Sequence, residues 1–222
     1  MSARHPGRHP GRGAATLLVI AKEPVPGRVK TRLTPPYTPR EAAMLAEVAL
    51  ADTLHTLLSV PARRRLLVLA GAPGPWLPPG FDVVQQADGG LDERIAAAFA
   101  QCEDGPALLV GMDTPQLTPE LLSGVGRDGH DAWFGPAADG GFWALGFADP
   151  ARAGSVVRGV PMSTDRTGAI QRSRLVEAGL AVADLPVLRD VDTAADAAQV
   201  AACCPPGSRF ADALASLAEV AR

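Results

Sequence analysis

Residues 16–33 read TLLVIAKEPVPGRVKTRL. The first seven form a continuous apolar run ending in a lysine, which is the pattern of a short strand covered on both faces in a parallel sheet. The remaining eleven form a loop stiffened by Pro24 and Pro26 and turned by Gly27. Lys22, Arg28, Lys30 and Arg32 therefore leave one strand end together. In sheets of this kind ligands sit beyond the carboxyl ends of the strands, so the loop is placed where a ligand would be.

Working outward, Thr38-Pro39-Arg40-Glu41 supplies an N-cap, a proline at the first helical position and a glutamate that closes a capping box. Leu45, Ala46, Ala49, Leu50, Thr53, Leu54, Leu57 and Leu58 then repeat at helical spacing, and Pro61 ends the run. Strands are expected at residues 65–71, 82–86 and 107–113, with a helix over LDERIAAAFAQC, residues 91–102. Thr118-Pro119-Glu120 predicts a further helix start, DAWFGP and GFWALGF a pair of strands, and Thr164 onward an Arg-rich amphipathic helix. A closing strand and two short helices complete the chain. This alternation predicts an α/β protein with three α/β/α layers around a mostly parallel sheet.

Composition narrows the class. The 222 residues fit one domain, expected over residues 15–222, with residues 1–14 as a flexible tail in which HPGR occurs twice. A net charge of -3 offers no global positive field, so neither nucleic acid nor an anionic membrane is an expected partner. Three cysteines, two of them adjacent at Cys203 and Cys204, match no disulfide or zinc pattern and point to reduced thiols in the cytoplasm. Oligomeric state is not legible in these features.

The first loop suits an anion of high charge, because ammonium and guanidinium groups together with backbone N–H donors match phosphate oxygens. Lys22, Gly27, Arg28, Lys30 and Arg32 are its candidate phosphate-binding residues. It is not a P-loop, since the second glycine before the lysine is missing and two prolines remove N–H donors.

Two later segments place carboxylates at strand ends. In GMDTP, Asp113 follows an apolar run and Pro115 turns the chain. In RDVDTAAD, Asp190 and Asp192 follow LPVL, while Thr193 and Asp196 read as a helix cap. Magnesium takes oxygen ligands and binds through one or two carboxylates together with substrate phosphates, so Asp113 and Asp192 suffice for Mg2+ or Mn2+, with Asp190 a third candidate. Each aspartate alone also reads as a turn former. GPAADGG, residues 135–141, is the third segment: Asp139 is placed to orient an acceptor or act as a base, and the same Asp-Gly-Gly reads equally well as a plain hairpin turn.

The ordered blocks KEPVPGRVKTRL, LDERIAAAF, GMDTPQLTPELL, GPAADGGFWALGF, MSTD and DVDTAAD resemble those of a bacterial family with the glycosyltransferase-A nucleotide-binding fold, the selenodomain-associated transferases. The resemblance spans about Thr16 to Asp196 and implies a sheet of the nucleotide-diphospho-sugar transferase type, related also to the guanylyltransferases that activate phospholactate or molybdopterin. It implies phosphate contact at Lys22, Lys30 and Arg32, metal ligation at Asp113 and Asp192, nucleotide contact at Arg94, and roles for Asp190 and Asp139. The expected activity is a metal-dependent transfer from a nucleotide-activated sugar to a small-molecule acceptor. Nucleotidyl transfer with release of pyrophosphate is the alternative, and a non-catalytic nucleotide sensor is the third reading.

Overall fold

The expected first strand is present with its expected bounds, and both of its faces are covered. In β1 (Thr16–Lys22) Leu17 and Val19 enter one hydrophobic cluster and Leu18 the other. The computed structural model describes residues 14–220; the expected tail lies outside them except for Ala14. Six further strands follow: β2 (Arg64–Ala70), β3 (Asp82–Gln85), β4 (Ala107–Val110), β5 (Ala132–Pro136), β6 (Phe142–Phe147) and β7 (Val182–Asp184). They form one sheet in the order β3-β2-β1-β4-β6-β5-β7. Pairing is parallel except on the two sides of β6, which runs against β4 and β5.

The helices are α1 (Pro39–Ser59), α2 (Leu91–Phe99), α3 (Ala153–Val157), α4 (Thr167–Glu177), α5 (Ala194–Cys203) and α6 (Arg209–Val220). On one face of the sheet Ala43, Ala46, Leu50, Leu54 and Leu57 of α1 pack on Leu17, Val19, Leu67, Leu108 and Val110. On the other, Ile95, Phe99, Val156, Val157 and Leu175 of α2, α3 and α4 cover Leu18, Leu66, Leu109 and Leu145. The expected three layers are therefore present. A third cluster lies outside α1, where Ala42, Leu45 and Ala49 meet Val200 of α5 and Phe210 of α6.

Local signals account for most boundaries. Thr38 and Glu41 form the expected capping box, with the Glu41 carboxylate accepting from Thr38 N at 2.7 Å. Thr193 and Asp196 do the same at α5. Other expectations need correction. The helix expected from Thr118 is a single tight turn, Pro119–Leu122, without a side-chain cap; Gly124, Gly126 and Gly129 follow, the last two at positive φ, and end it. The strand expected over 107–113 stops at Val110, paired with Ala144; Gly111 N makes one further bond to Trp143 O of β6 before the chain turns away. The helix over 91–102 ends at Phe99. The turn Pro150–Arg152 and α3 were not expected at all. α1 is the one described helix long and apolar enough to cross a membrane, and most of that stretch is buried inside the fold. All three cysteines are free thiols.

One buried carboxylate joins α1 to α6. Asp52 of α1 is 8% exposed, and its carboxylate accepts hydrogen bonds from Ser208 Oγ at 2.8 Å, Phe210 N at 3.0 Å and Arg209 N at 3.1 Å, as well as from the Arg209 guanidinium. It satisfies the first N–H groups of α6 from a different helix. Asp52→Ala removes these acceptors and is expected to lower the unfolding free energy by about 3 kcal/mol. Urea denaturation should show this as a lower midpoint with an unchanged slope.

Candidate active site

Three chain segments meet beyond the carboxyl ends of β1 and β4. From β1, Lys22 N donates to Met112 Sδ at 3.2 Å, which ties the start of the first loop to the segment after β4. The loop turns through Gly27 at φ +74 and passes Lys30, which holds a left-handed backbone at φ 48. Leu33 N then bonds Lys30 O at 2.9 Å, and the fully buried Leu33 side chain anchors the loop in the cluster outside α1. From β4, Gly111 N reaches Trp143 O at 3.0 Å and the chain turns outward to Asp113. The third segment is held by backbone and amide contacts: Val191 N donates to Asp113 O at 2.9 Å and Gln116 Nε2 to Arg189 O at 2.7 Å. These bonds bring Asp190 and Asp192 beside Asp113.

The centre is an ion set. Lys30 Nζ lies 2.8 Å from Asp113 Oδ1 and 3.2 Å from Asp192 Oδ1, with the lysine side chain only 9% exposed. Arg32 Nη1 reaches Asp192 Oδ2 at 3.4 Å from a largely exposed position. Burial alone would lower the Lys30 pKa, but the charges of Asp113 and Asp192 outweigh it and hold the ammonium above its ordinary value. Asp190 stands outside this set. Burial first, and then the negative charges of Asp113 and Asp139, push its carboxyl up to about 7, and its Oδ1 is buried without a hydrogen-bond partner.

These groups line a cavity of about 520 Å³. The lining includes Lys22, Arg28, Lys30, Arg32 and Arg94 with Asp113, Asp139, Asp190 and Asp192, the apolar Leu91, Ile95, Phe142 and Met162, and the hydroxyl residues Ser163, Thr164 and Thr167. The two non-glycine residues at positive φ among those described, Lys30 and Ser163, both line it. Strained backbone of this sort gathers at ligand sites.

The hairpin between β5 and β6 is both a turn and a cavity wall. Asp139 Oδ1 accepts from Gly141 N at 2.8 Å, the local bond expected of a turn aspartate, and the residue also faces the cavity. Behind it the backbones touch: Gly168 N of α4 donates to Gly140 O at 2.8 Å. A Cβ added at Gly140 would come within 2.0 Å of Asp165 O, and one at Gly168 within 2.3 Å of Gly141 O. The hairpin tip and the start of α4 thus fit together only without side chains.

Of the expected site residues, Lys22, Arg28, Lys30, Arg32, Arg94, Asp113, Asp139, Asp190 and Asp192 all line this cavity; Gly27 does not, and serves only the turn. Lys30 departs from expectation in its partners, which are the two carboxylates rather than open space for a phosphate. Arg94 is steadied by Gln86, at 3.2 Å from Nη1 to Oε1, and the Gln86 amide in turn donates to Ala21 O and Val68 O at the ends of β1 and β2. Gln86, Gly168 and the Ser163–Thr167 segment have no sequence pattern that assigns them a role; MSTD marked that segment only through the resemblance.

Among the described residues no three His, Cys, Asp or Glu side chains are gathered as a ready metal cluster. Magnesium does not require one, since it is held by one or two carboxylates plus phosphate and water oxygens. Asp113 and Asp192 already direct two oxygens at one cation, and Asp190 leaves a buried oxygen unpaired beside them. The donor set is all oxygen and anionic, which fits a hard divalent ion.

The family model described as "Uncharacterized protein conserved in bacteria (DUF2064)" matches residues 44–164, more than half of the chain. The chain belongs to this family. The matched span contains Arg94, Asp113 and Asp139, while the first loop and the Asp190–Asp192 segment flank it. A solved structure of a proposed nucleotide-diphospho-sugar transferase from Desulfovibrio desulfuricans G20 is similar at 27% identity, covering 92% of this chain and 94% of that one with a TM-score of 0.81. A nucleotidyl transferase from Methanothermobacter shares 15% identity over 85% of this chain and 96% of its own, at a TM-score of 0.54. The inositol-1-phosphate CTP transferase from T. maritima shares 13% over 83% and 92%, at 0.52. The last two likenesses concern the fold alone. No curated protein matches the sequence. The seven-stranded, mostly parallel sheet with its flanking helices is that of the nucleotide-diphospho-sugar transferase structures.

Two measurements follow from this geometry. Because the folded Asp190 carboxyl keeps a proton that the unfolded chain releases near pH 4, its contribution favours the folded state at low pH and is lost as pH rises through about 7. Chelator-treated protein should lose stability between those limits, and Asp190→Asn should flatten that part of the profile. Gly168→Ala should separate the hairpin tip from α4 and lower the melting temperature by several degrees, on the order of 1–3 kcal/mol.

Proposed function

We propose that this chain is a nucleotide-utilising transferase that takes a nucleotide-activated sugar, with a divalent cation held by Asp113 and Asp192. The observation that carries the reading is the convergence of those two carboxylates on one cation at the carboxyl ends of parallel strands, beside Lys22 and Arg28 in a cavity large enough for a nucleotide. The similarity to the Desulfovibrio protein over nearly the whole chain supports it.

The charge of the lining favours sugar transfer over nucleotidyl transfer. The cavity lining holds five cationic and four carboxylate side chains, and two of the cations, Lys30 and Arg32, are already paired with acids. With one divalent ion the lining has a net charge of about +3, which offsets the roughly two negative charges of a nucleoside diphosphate-sugar with about one to spare. A triphosphate with a phosphorylated acceptor brings about six, more than these groups neutralise. Nucleotidyl transfer remains the second reading, favoured by the number of cations in the first loop.

In this reading Lys22 and Arg28 hold the diphosphate, and Arg94, steadied by Gln86, contacts the nucleotide. When bound, the metal offsets charge developing on the diphosphate leaving group. Asp139 has one oxygen committed to its own turn and serves the acceptor hydroxyl with the other. The apolar residues Leu91, Ile95, Phe142 and Met162 keep bulk water from that part of the cavity.

A thermal-shift panel of nucleotide-sugars and nucleoside triphosphates, with and without Mg2+ or Mn2+, tests the assignment. Stabilisation is expected only with nucleotide and metal together, about 2.7 kcal/mol at a hundredfold excess over Kd, and is expected to vanish in Asp113→Asn. Equal metal-free stabilisation of both proteins would overturn it. Turnover of the stabilising compound should release a nucleoside diphosphate; pyrophosphate in its place establishes the second reading. Asp139→Asn should slow turnover by about 10²- to 10⁴-fold while donor binding stays intact.

A further inference from the structure

Lys22 and Lys30 are the only lysines in the chain, where every other cationic side chain is arginine or histidine. Both line the same cavity. Lys30 is the buried one, and its ammonium occupies the point on which Asp113 and Asp192 converge, at 2.8 and 3.2 Å. An ammonium and a divalent ion cannot share that gap, because like charges a few ångströms apart repel strongly in a partly buried site. Metal can therefore enter only if the ammonium leaves.

The backbone limits how it leaves. Lys30 Cα is fixed by the left-handed conformation, by the Leu33 N to Lys30 O bond of 2.9 Å, and by the buried Leu33 side chain. Only the four-carbon stem is free to swing, and a compact ammonium on a flexible stem suits such a move better than a guanidinium fork. With just 9% of the side chain exposed, the charge does not simply swing into solvent and needs another anion nearby. The first loop, with Lys22 and Arg28 lining the same cavity, is where a diphosphate brings one.

We propose that Lys30 is the resident cation of the Asp113–Asp192 pair and gives up that place only when a diphosphate is present to receive its ammonium, so that metal and nucleotide bind together and neither binds well alone. The inference rests on the metal reading of Asp113 and Asp192 given above. It makes Lys30 a positioning residue that sets the order of binding and guards the carboxylates against free metal.

The test uses the whole wild-type protein with Mg2+, Mn2+ and inorganic pyrophosphate, which supplies a diphosphate without a choice of base. In protein carrying isotope-labelled lysine, two side-chain signal sets report on Lys22 and Lys30. Millimolar Mg2+ alone should leave the Lys30 set in place, and Mg2+ with pyrophosphate should move it. By electron paramagnetic resonance, and after allowing for complexes in solution, pyrophosphate should tighten Mn2+ binding to wild type at least tenfold. Lys30→Met should bind Mn2+ alone at least tenfold more tightly than wild type and lose most of that coupling. Displacement of Lys30 by Mg2+ alone, or equal Mn2+ affinity in wild type and Lys30→Met, overturns the inference. The labelled wild-type measurement decides it even if Lys30→Met does not fold. Should Asp113→Asn bind Mn2+ as wild type does, the metal reading itself fails; metal bound through Asp113 with Lys30 undisplaced refutes only the present proposal.

Discussion

The contact on which this molecule's site depends is a lysine ammonium held between two carboxylates. Lys30 comes from the loop after β1, Asp113 from the turn after β4 and Asp192 from the stretch before α5, so one ion set closes three loops over the carboxyl ends of the central strands. The attraction is strengthened by burial and by a fixed backbone beneath it: Val191 N to Asp113 O holds the two acidic segments together, and Leu33 holds the loop. Without that positive charge the carboxylates of Asp113 and Asp192 would face one another across a partly buried space, a repulsive arrangement.

Sequence patterns and contacts differ in how legible they are. TLLVIAK gave its strand to the residue because a buried parallel strand needs an unbroken apolar run, and Thr38 with Glu41 gave the start of α1 because a capping box is local. The candidate residues were legible as a set, since phosphate and metal chemistry use few residue types and strand ends are where sheets of this kind place them. Their pairing was not. Lys30 and Asp192 are 162 positions apart, and nothing local distinguishes a lysine awaiting phosphate from one already held by acids. Thr118-Pro119-Glu120 shows the opposite error: a good start signal with no helix behind it, because the glycines that follow favour a turn. β6 was seen as a strand, but its antiparallel placement between β4 and β5 depends on the whole sheet.

The cavity divides its labour by side-chain type. Its charged residues come from the loops leaving β1 and β4, the β5–β6 hairpin, the segment before α5 and, for Arg94, α2; its apolar residues come from α2, the start of β6 and the approach to α4. The close backbone approach of Gly140 and Gly168 fixes the hairpin tip against α4, so Asp139 and the Ser163–Thr167 segment keep one spacing. Rigidity there contrasts with Arg32, whose side chain is 76% exposed and tied only at 3.4 Å. The Arg32 side chain is free to adjust to a guest, while the hairpin side is a fixed template.

Asp52 carries a further consequence. It sits in the first helix, yet the donors that satisfy it belong to Ser208, Arg209 and Phe210, some 156 to 158 positions later. During synthesis on the ribosome α1 emerges early and must wait, with a carboxylate that still needs water, until almost the whole polypeptide has been made. The first long helix can therefore reach its final burial only at the last step of assembly, and a nascent chain stalled before α6 holds a half-finished core.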